Sequence, residues 1–429
     1  MILSHKIALM PNNGQRTYFQ KAAGTARFAY NWGLSEWNRQ YQEHKENPTV
    51  PAPSEGALRR QLNSIKRERF PWMLEVTKNA PQMAMMQLGQ AFTRFFNGKA
   101  KHPVFHKKGV HDSFTVTNDQ FRVENKKIRI PQLGWVRMCE SLRFEGKIMS
   151  ATISRVADRW FVSIAVETKI APSVIENQET VGVDLGISAL ATLSTQEKIE
   201  GPKAHKALLN RQRRLSRSLS RKLEAAKAGA GLTPKQTIPK GKRIPLSNNA
   251  VKTKTKLSRL HARIANIRND AMHKLTTGLT QRFNVFGIED LNVSGMMKNP
   301  KLSRSIADMG FFEFKRQLQY KAAMTGGTVV TADRWYPSSK TCSTCGYRLK
   351  ELSLSVRTWE CPACGSVHDR DVNAAMNLKK MAVFSLAGSF SVTACGEKGA
   401  DLCFGISETS LYEAGIQQHK APMDIFGYV

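Results

Sequence analysis

The sequence has 429 residues, of which 41% are hydrophobic, and its 65 Lys and Arg residues outnumber its 34 Asp and Glu residues. That length and composition are enough for two or three folded domains and exclude a chain that is disordered throughout. A compact protein with a net charge of +31 repels itself, and polyphosphate is its natural counter-ion. No stretch approaches the roughly 20 apolar residues of a membrane-spanning helix, so we expect nucleic acid rather than a membrane as the partner.

The cellular compartment is predicted from the first residues and from the cysteines. The start, MILSHKIALMPNN, is too short and too polar for a secretory signal. Seven cysteines in this length are too few for a disulfide scaffold, and four of them cluster within residues 342–364. These features predict a cytoplasmic protein with a metal site, and we interpret Cys139, Cys395 and Cys403 as ordinary thiols.

The first 98 residues predict one short strand followed by helices. Residues 6–11 are compatible with a strand, which ends at the turn residues NNG. Residues 15–98 carry apolar and aromatic side chains at spacings of three and four, which is typical of amphipathic helices. Pro81 suits the first turn of a helix over residues 81–96. We expect those aromatic and methionine side chains to form a helical core.

The next part of the chain predicts strands and then a new domain. Residues 113–138 and 149–169 alternate apolar and polar side chains and are rich in β-branched residues, as antiparallel strands are. They indicate a small barrel or sandwich. A linker near residues 177–179 leads to an apolar strand within residues 180–194, which Asp184 interrupts.

A strongly basic segment follows, over residues 202–282. It contains 21 Lys and Arg residues and two acids, Glu224 and Asp270, which is a net charge of +19 in under a fifth of the length. Two helical patterns, residues 206–227 and 251–279, carry this charge on either side of a flexible Gly- and Pro-rich stretch. A charge run is often only a solvated helix face, but this one lacks the interspersed acids of i,i+4 pairs. We therefore expect it to bind phosphate.

The four clustered cysteines predict a structural metal site. Cys342 and Cys345 form one C-x2-C pair, and Cys361 and Cys364 form a second pair after fifteen intervening residues. Two such thiolate pairs, each followed by a glycine that a knuckle turn favours, give the tetrahedral ligand set of a zinc ribbon with one Zn²⁺ ion. His368 is a possible replacement for one ligand, but the cysteine set is already complete.

Two acids lie at or near the ends of predicted strands in the same region. Asp184 interrupts the stretch VGVDLG, and Glu289 ends the apolar stretch NVFGIED. An acid at such a position is costly unless it is paired or binds a metal ion. Carboxylates that converge at strand ends are the ligands that Mg²⁺ requires. With a third acid they would build a site for two-metal phosphodiester hydrolysis.

The stretch HDRDVNAA supplies that third acid. The positions i+3, i+4 and i+7 from Asp371 are apolar: Ala374, Ala375 and Leu378. In a helix they form one stripe with Asp371, so Asp371 faces the buried side. Asp369 lies about 200° round the helix and is better explained as the N-cap. Arg370 would then face solvent or phosphate.

The succession of motifs GVDLG, GIEDL, YPSSKTCSTCG, WECPACG and HDRDVNAAMNL resembles the TnpB (OrfB) family of transposon-encoded proteins, which is related to type V CRISPR effectors. The resemblance extends to MPNNGQ and TARFAYNWGL and so covers nearly the whole chain. It implies an RNA-guided DNA endonuclease with a RuvC-type, RNase H-like domain. The family's triad maps onto Asp184, Glu289 and Asp371 as ligands of two Mg²⁺ ions, and its zinc ribbon maps onto the four clustered cysteines.

The resemblance also implies a multidomain α+β fold and a set of partners. The expected parts are a β-barrel wedge domain (1–14 and 99–176), a helical recognition lobe (15–98), a RuvC-like domain (177–336 and 368–390), a zinc ribbon (337–367) and a disordered tail (391–429). The partners would be a guide noncoding RNA and double-stranded target DNA, with one chain per RNA. Lys78, Gln82, Thr117 and Asn118 are candidates for reading a short DNA motif beside the target, although caps and turns explain them as well.

Two other functions fit parts of the sequence. An RNA-guided repressor would bind DNA without cutting it, but the intact triad argues against that interpretation. A conventional transposase would act without RNA. The presence or absence of a discrete co-purified RNA separates a transposase from an RNA-guided protein.

Overall fold

The computed structural model describes residues 1–169, 179–233, 236–239, 243–353 and 355–394. The chain divides into two compact units, Met1–Ala171 and Pro172–Val429. Cys395, Cys403, most of the predicted linker and most of the predicted tail lie outside the described residues. Within the described ranges, every helix is too short or too polar to span a bilayer.

The first unit contains helices between its first and second strands, as predicted. Its elements are β1 (Ile2–Met10), α1 (Asn13–Glu46), α2 (Glu55–Arg69), a 3-10 helix (Pro71–Glu75), α3 (Asn79–Phe96), β2 (Ser113–Thr117), β3 (Arg122–Glu124), β4 (Lys127–Ile130), β5 (Gly134–Met138), β6 (Lys147–Val156) and β7 (Arg159–Glu167). Asn12 caps α1 in a capping box, since its side chain accepts from the N–H of Gln15 and its own N–H donates to Gln15 Oε1. The helix therefore begins directly after the strand, where the sequence predicts a turn.

The seven strands of the first unit form one antiparallel sheet in the order β2-β6-β7-β1-β5-β4-β3. The predicted β-barrel is wrong, because the edge strands β2 and β3 do not pair in the described part of this unit, and the sheet is open. β3 has only three residues. At the other edge β2 packs against α1 and α3, so helices rather than a closing strand cover that end of the sheet.

Helices and sheet in the first unit share one buried core. Phe19 on α1 lies 5.2 Å from the ring of Trp160 on β7, and Trp37 stacks on Phe92 of α3 at 4.0 Å. A Cβ atom on Gly33 would lie 2.7 Å from Met85 Sδ, so α1 and α3 cross closely at this glycine. The predicted helical core is confirmed, and the division into a wedge and a recognition lobe stays a prediction.

The second unit begins with strands and carries the two predicted basic helices. Its described elements are β8 (Thr180–Asp184), β9 (Ala191–Leu193), β10 (Lys198–Ile199), α4 (Ala204–Gly229), α5 (Asn248–Arg282), β11 (Val285–Ile288), α6 (Val293–Met296), α7 (Ser303–Met309), α8 (Phe311–Met324), β12 (Thr328–Thr331), β13 (Thr358–Glu360), β14 (Val367–Asp369) and α9 (Arg370–Ala394). Helices α4 and α5 confirm the two basic helical patterns. Helix α9 continues to Ala394, beyond residue 391, where the predicted tail begins.

A five-stranded sheet of order β10-β9-β8-β11-β12 forms the centre of the second unit. β8, β11 and β12 are parallel, and β9 is antiparallel to β8. Val181, Val183, Phe286 and Ile288 on the two middle strands are fully buried. The fold of the chain is therefore α+β with more than one compact unit.

Helix α9 lies directly on the two middle strands of this sheet. A Cβ atom on Gly182 of β8 would lie 1.8 Å from the carbonyl oxygen of Ala375, and one on Gly287 of β11 would lie 2.2 Å from that of Leu378. Any side chain at either glycine would displace the helix backbone. The two glycines thus set the distance between α9 and the strands.

Candidate active site

Asp184 and Glu289 lie side by side at one edge of the five-stranded sheet. β8 and β11 are parallel neighbours, and Val183 is paired in register with Ile288. The next residue is Asp184 on β8 and Glu289 directly after β11. Glu289 follows the end of its strand as predicted, whereas Asp184 ends β8 instead of interrupting a longer strand.

Helix α9 brings Asp371 towards the same edge. Asp371 is in the first turn of α9, one turn before the residue that touches Gly182. The predicted apolar stripe is buried, with Ala374, Ala375 and Leu378 each at most 2% exposed. The side chain of Asp371 is 22% exposed and lies 3.6 Å from a guanidinium nitrogen of Arg357.

Asp369 is the N-cap of α9, as predicted. Its Oδ1 accepts from the backbone N–H groups of Asp371 and Val372, both at 3.1 Å. Its Oδ2 lies 2.7 Å from Lys198 Nζ. The two neighbouring aspartates therefore have different surroundings, and Asp369 is committed to the helix start.

Half-buried Arg370 bonds to the ribbon, and the prediction that it faces solvent or phosphate stays a prediction. Its guanidinium donates to the carbonyl oxygen of Ser353 at 2.6 Å, and its backbone N–H donates to that of Arg357 at 2.8 Å. The same guanidinium lies 3.5 Å from the carbonyl oxygen of Val356, so Arg370 donates to several carbonyl groups before β13. Arg370 fastens the ribbon to the first turn of α9.

Burial dominates the electrostatics of Asp184 and Glu289. Burial raises the pKa of Asp184 well above its usual range, and the charges of Glu289 and Asp371 raise it further. Burial also raises the pKa of Glu289. Within the described residues, the carboxylate of Asp184 has no hydrogen bond or ion pair. Two buried carboxylates and the neighbouring Asp371 offer oxygen donors that fit a hard divalent cation, which would offset their charge.

Ser338 belongs to the site and was missed by sequence reasoning. It is 4% exposed, and its Oγ donates to Glu289 Oε1 at 2.5 Å. Its carbonyl oxygen accepts from the buried side chains of Asn373 and Asn377, which are one turn apart on α9. The polar stretches SSK, with Ser338, and NAAMN, with Asn373 and Asn377, are visible in the sequence. Neither stretch indicates which distant residue it bonds to.

The four cysteines are gathered as the sequence predicts. Their Sγ atoms all lie within 4.8 Å of one another. Among the residues that the structure describes, no other group of three or more Cys, His, Asp or Glu side chains is gathered this closely, so the three acids stand further apart. Four sulfur donors in this arrangement fit a tetrahedral metal ion such as Zn²⁺.

Both cysteine pairs sit on knuckle turns. The N–H of Gly346 donates to the carbonyl oxygen of Cys342 at 2.9 Å, and Gly365 repeats this with Cys361 at 2.8 Å. The glycines have φ values of +80° and +69°, which favour glycine. His368 lies outside the four-cysteine group, with its Nε2 3.0 Å from Cys342 Sγ.

One face of α4 carries a strip of unpaired arginines. This arginine strip consists of Arg213, Arg214, Arg217 and Arg221, which line a shallow cleft of about 490 Å³. All four are exposed, and in the described part of the chain none forms an ion pair. The other side of α4 packs on α5.

The start of α4 is held by an acid from another helix. Asp308 on α7 is 3% exposed, and it accepts from the N–H groups of His205 and Lys206 at 2.9 and 3.0 Å. It therefore caps α4 in place of a local side chain, because Lys203 at the N-cap position makes no capping bond.

The predicted DNA-motif readers lie at two neighbouring element ends in the first unit. Lys78 and Gln82 are at the start of α3, and Thr117 and Asn118 are at the end of β2. Asn79 joins them, because its Nδ2 donates to Thr117 Oγ1 at 2.8 Å. The structure brings the four residues to one region, and their role in reading DNA stays a prediction.

Three family models match this chain. The IS605 OrfB model, described as "Probable transposase", matches residues 162–300. A related model described as "Helix-turn-helix domain" matches residues 1–46, which here form β1 and the single helix α1. A model described as "Cas12f1-like, TNB domain" matches residues 311–378 and so includes the cysteine ribbon.

Full-length relatives are similar over nearly the whole chain. A Streptomyces pristinaespiralis protein named "Putative RNA-guided DNA endonuclease" is 34% identical over 397 residues, covering 91% of this chain and 90% of the relative. The Escherichia coli K12 protein "Putative RNA-guided DNA endonuclease InsQ" is 32% identical over 412 residues, covering 91% and 93%. A solved Cas12f1-sgRNA-target DNA complex shows 14% identity and a TM-score of 0.48, covering 86% of this chain and 83% of that one. The extent of the match to the two relatives shows that this chain belongs to the TnpB (OrfB) family.

Proposed function

We propose that this chain is an RNA-guided DNA endonuclease of a transposable element, which cuts DNA beside a short recognised motif. The activity is the one in the names of the two full-length relatives. The observation that carries the proposal is the convergence of Asp184, Glu289 and Asp371 at one sheet edge, in a chain of net charge +31.

The three acids are proposed to hold two Mg²⁺ ions. When bound, such ions supply a water activated for attack on phosphorus and stabilise the leaving 3′-oxygen. The chain's contribution is the placement of the ligands. Asp184 and Glu289 are fixed by adjacent strands, and Asp371 is fixed by the close contact of α9 with both strands. Because burial disfavours the ionised forms of Asp184 and Glu289, cation binding would offset that cost.

The cysteine ribbon is proposed to hold one structural Zn²⁺ ion. Four thiolates leave no open ligand position, which argues against a catalytic role for that ion. Its place supports a positioning role, since Arg370, Asn373 and Asn377 on α9 all bond to backbone groups in or beside the ribbon. The arginine strip is proposed to bind the phosphates of the guide RNA or target strand.

The test is cleavage by the purified protein with its RNA. Target DNA and Mg²⁺ are added to the wild type and to Asp184→Ala, and products are resolved on a denaturing gel. We expect the wild type to cut and the variant to bind without cutting. Binding without cutting by both proteins would instead support the RNA-guided repressor.

A conventional transposase is the second candidate, because the matching family model is described as "Probable transposase". The two are separated by the nucleic acid that co-purifies with the chain from its native host. A discrete RNA whose removal abolishes DNA recognition supports RNA guidance. Recognition that survives RNase treatment would favour the transposase.

A further inference from the structure

A cleft of about 330 Å³ opens beside Glu289, and an exposed tryptophan lines it. The side chain of Trp335 is 83% exposed, the largest value among the large apolar side chains that the structure describes. An indole of this size in water forgoes a large apolar contact area. Because the indole lines the same cleft as Glu289, we expect a bound partner to cover it.

The loop that carries Trp335 is fixed, so its exposure is not the result of a loose segment. The N–H of Trp335 donates to Asp333 Oδ1 at 2.8 Å, and the N–H of Tyr336 donates to the carbonyl oxygen of Asp333 at 3.0 Å. Arg334 pairs with Asp290 at 3.0 Å. The backbone thus holds the indole in a defined place while its faces stay free.

Three cations and three acids line the same cleft, namely Arg334, Lys340 and Arg348 with Glu289, Asp290 and Asp333. Arg334 is paired with Asp290, which leaves Lys340 and Arg348 to be considered. Arg348 is exposed, and in the described ranges it forms no ion pair with an acid. Lys340 Nζ donates only to a carbonyl oxygen, that of Lys350 at 3.3 Å. A ring with free faces, beside two cations that form no ion pair within the described ranges, fits a flat, apolar group attached to an anion.

We propose that this cleft is a subsite for one unpaired nucleotide of the strand that is cut. Its base stacks on Trp335, and its phosphate lies towards Lys340 and Arg348, beside Glu289. The nucleotide must be unpaired, because a paired base inside a duplex is already covered on both faces by its neighbours. The assignment of the strand rests on the proposed nuclease function, whereas the stacking itself does not.

Stacking is tested with single-stranded DNA oligonucleotides that carry 2-aminopurine, a base whose fluorescence falls when it stacks on an indole. The probe base is moved one position at a time along an otherwise constant oligonucleotide, which is titrated with the purified protein and its RNA, or with the protein alone. We expect quenching at a restricted set of positions. Trp335→Ala should abolish that quenching and weaken binding by roughly 5- to 150-fold, the loss of one stacked base. Trp335→Phe should keep most of the binding, because a phenyl ring also stacks on a base.

Phe312→Ala is the matched control, because that variant removes a ring on α8 that is 70% exposed. It should leave the quenching unchanged. Quenching by Trp335→Ala equal to that of the wild type, or no quenching at any position in the wild type, would overturn the subsite. A fall in cleavage by Trp335→Ala with unchanged quenching would assign Trp335 a structural role and equally overturn it. Trp335-dependent quenching in a protein that never cuts would retain the subsite and reject the nuclease.

Discussion

The hydroxyl of Ser338 donates to one oxygen of Glu289, and the other oxygen has no hydrogen bond among the described residues. The bond favours the ionised carboxylate and so lowers the pKa of Glu289, against the burial that raises it. Ser338 is in turn held through its carbonyl oxygen by Asn377 at 2.7 Å. A residue outside the ligand set therefore influences both the charge and the direction of a proposed ligand.

Ser338→Ala should weaken metal binding at the acids, because Glu289 loses its orienting donor. Loss of such an outer partner typically costs about 10- to 100-fold in metal affinity or activity. The measurement is the cleavage rate as a function of Mg²⁺ concentration. The Mg²⁺ concentration that gives half of the maximal rate should be higher for the variant. Ser339→Ala serves as the neighbouring control. Superimposable Mg²⁺ curves for Ser338→Ala and the wild type would contradict the role of Ser338.

At the scale of elements, the first turn of α9 carries two kinds of group. Asp369 accepts from amide groups of the helix start, and Asp371 lies near enough to Asp184 for its charge to raise the pKa of that acid. The sequence indicates this division because the helical period places the two side chains on different faces. It gives no indication that Arg370 would bond to the ribbon, since that contact depends on a loop that comes earlier in the chain.

Asp369→Ala should lower stability more than it lowers catalysis. Loss of an N-cap side chain costs about 0.5–2 kcal/mol, whereas the ion pair with Lys198 joins exposed groups and contributes little. Thermal unfolding and single-turnover cleavage are measured for Asp369→Ala, Asp369→Asn and Asp371→Ala. Asn also caps helices, so Asp369→Asn should recover most of the stability. A loss of cleavage in Asp369→Ala as deep as in Asp371→Ala would show that Asp369 is itself catalytic.

The arginine strip on α4 should account for part of the salt dependence of nucleic-acid binding. Each phosphate contact adds about 0.7–0.9 to the slope of log affinity against log salt concentration. Replacing Arg213, Arg217 and Arg221 by alanine should therefore lower that slope by about 2–3 for the RNA. Lys222→Ala is the control on the same helix, since Lys222 Nζ bonds to Thr253 Oγ1 at 2.5 Å instead of facing solvent. An unchanged slope in the triple variant would remove the strip from the binding surface.

At the scale of the whole molecule, the ribbon connects metal content to the catalytic edge. We expect about one Zn²⁺ per chain by elemental analysis, and Cys361→Ser should lower that content. Without the ion the first turn of α9 loses its support, so cleavage should fall even when Mg²⁺ is saturating. A metal-free variant that cuts at the wild-type rate would refute the structural role.

The sequence allowed the local patterns to be predicted, and the structure supplied the long-range contacts. The cysteine spacing, the acids at strand ends and the apolar stripe that follows Asp371 each depend on residues close together in the sequence. Their placement was therefore predictable. Closure of the first sheet depends on whether β2 and β3 meet, and no alternation of side chains within a strand reveals that. The role of Ser338 was also not predicted, because its partner Glu289 is 49 residues away in the sequence.

The contact of α9 with Gly182 and Gly287 affects which natural copies of this protein can be active. An alanine at Gly182 would place a methyl group 1.8 Å from the carbonyl oxygen of Ala375 and would push away the helix that carries Asp371. Such a copy would retain every acid and every cysteine, and inspection of its motifs would classify it as intact. Its catalytic geometry would nevertheless be lost, so degenerate transposon copies need to be screened at the glycines as well as at the acids.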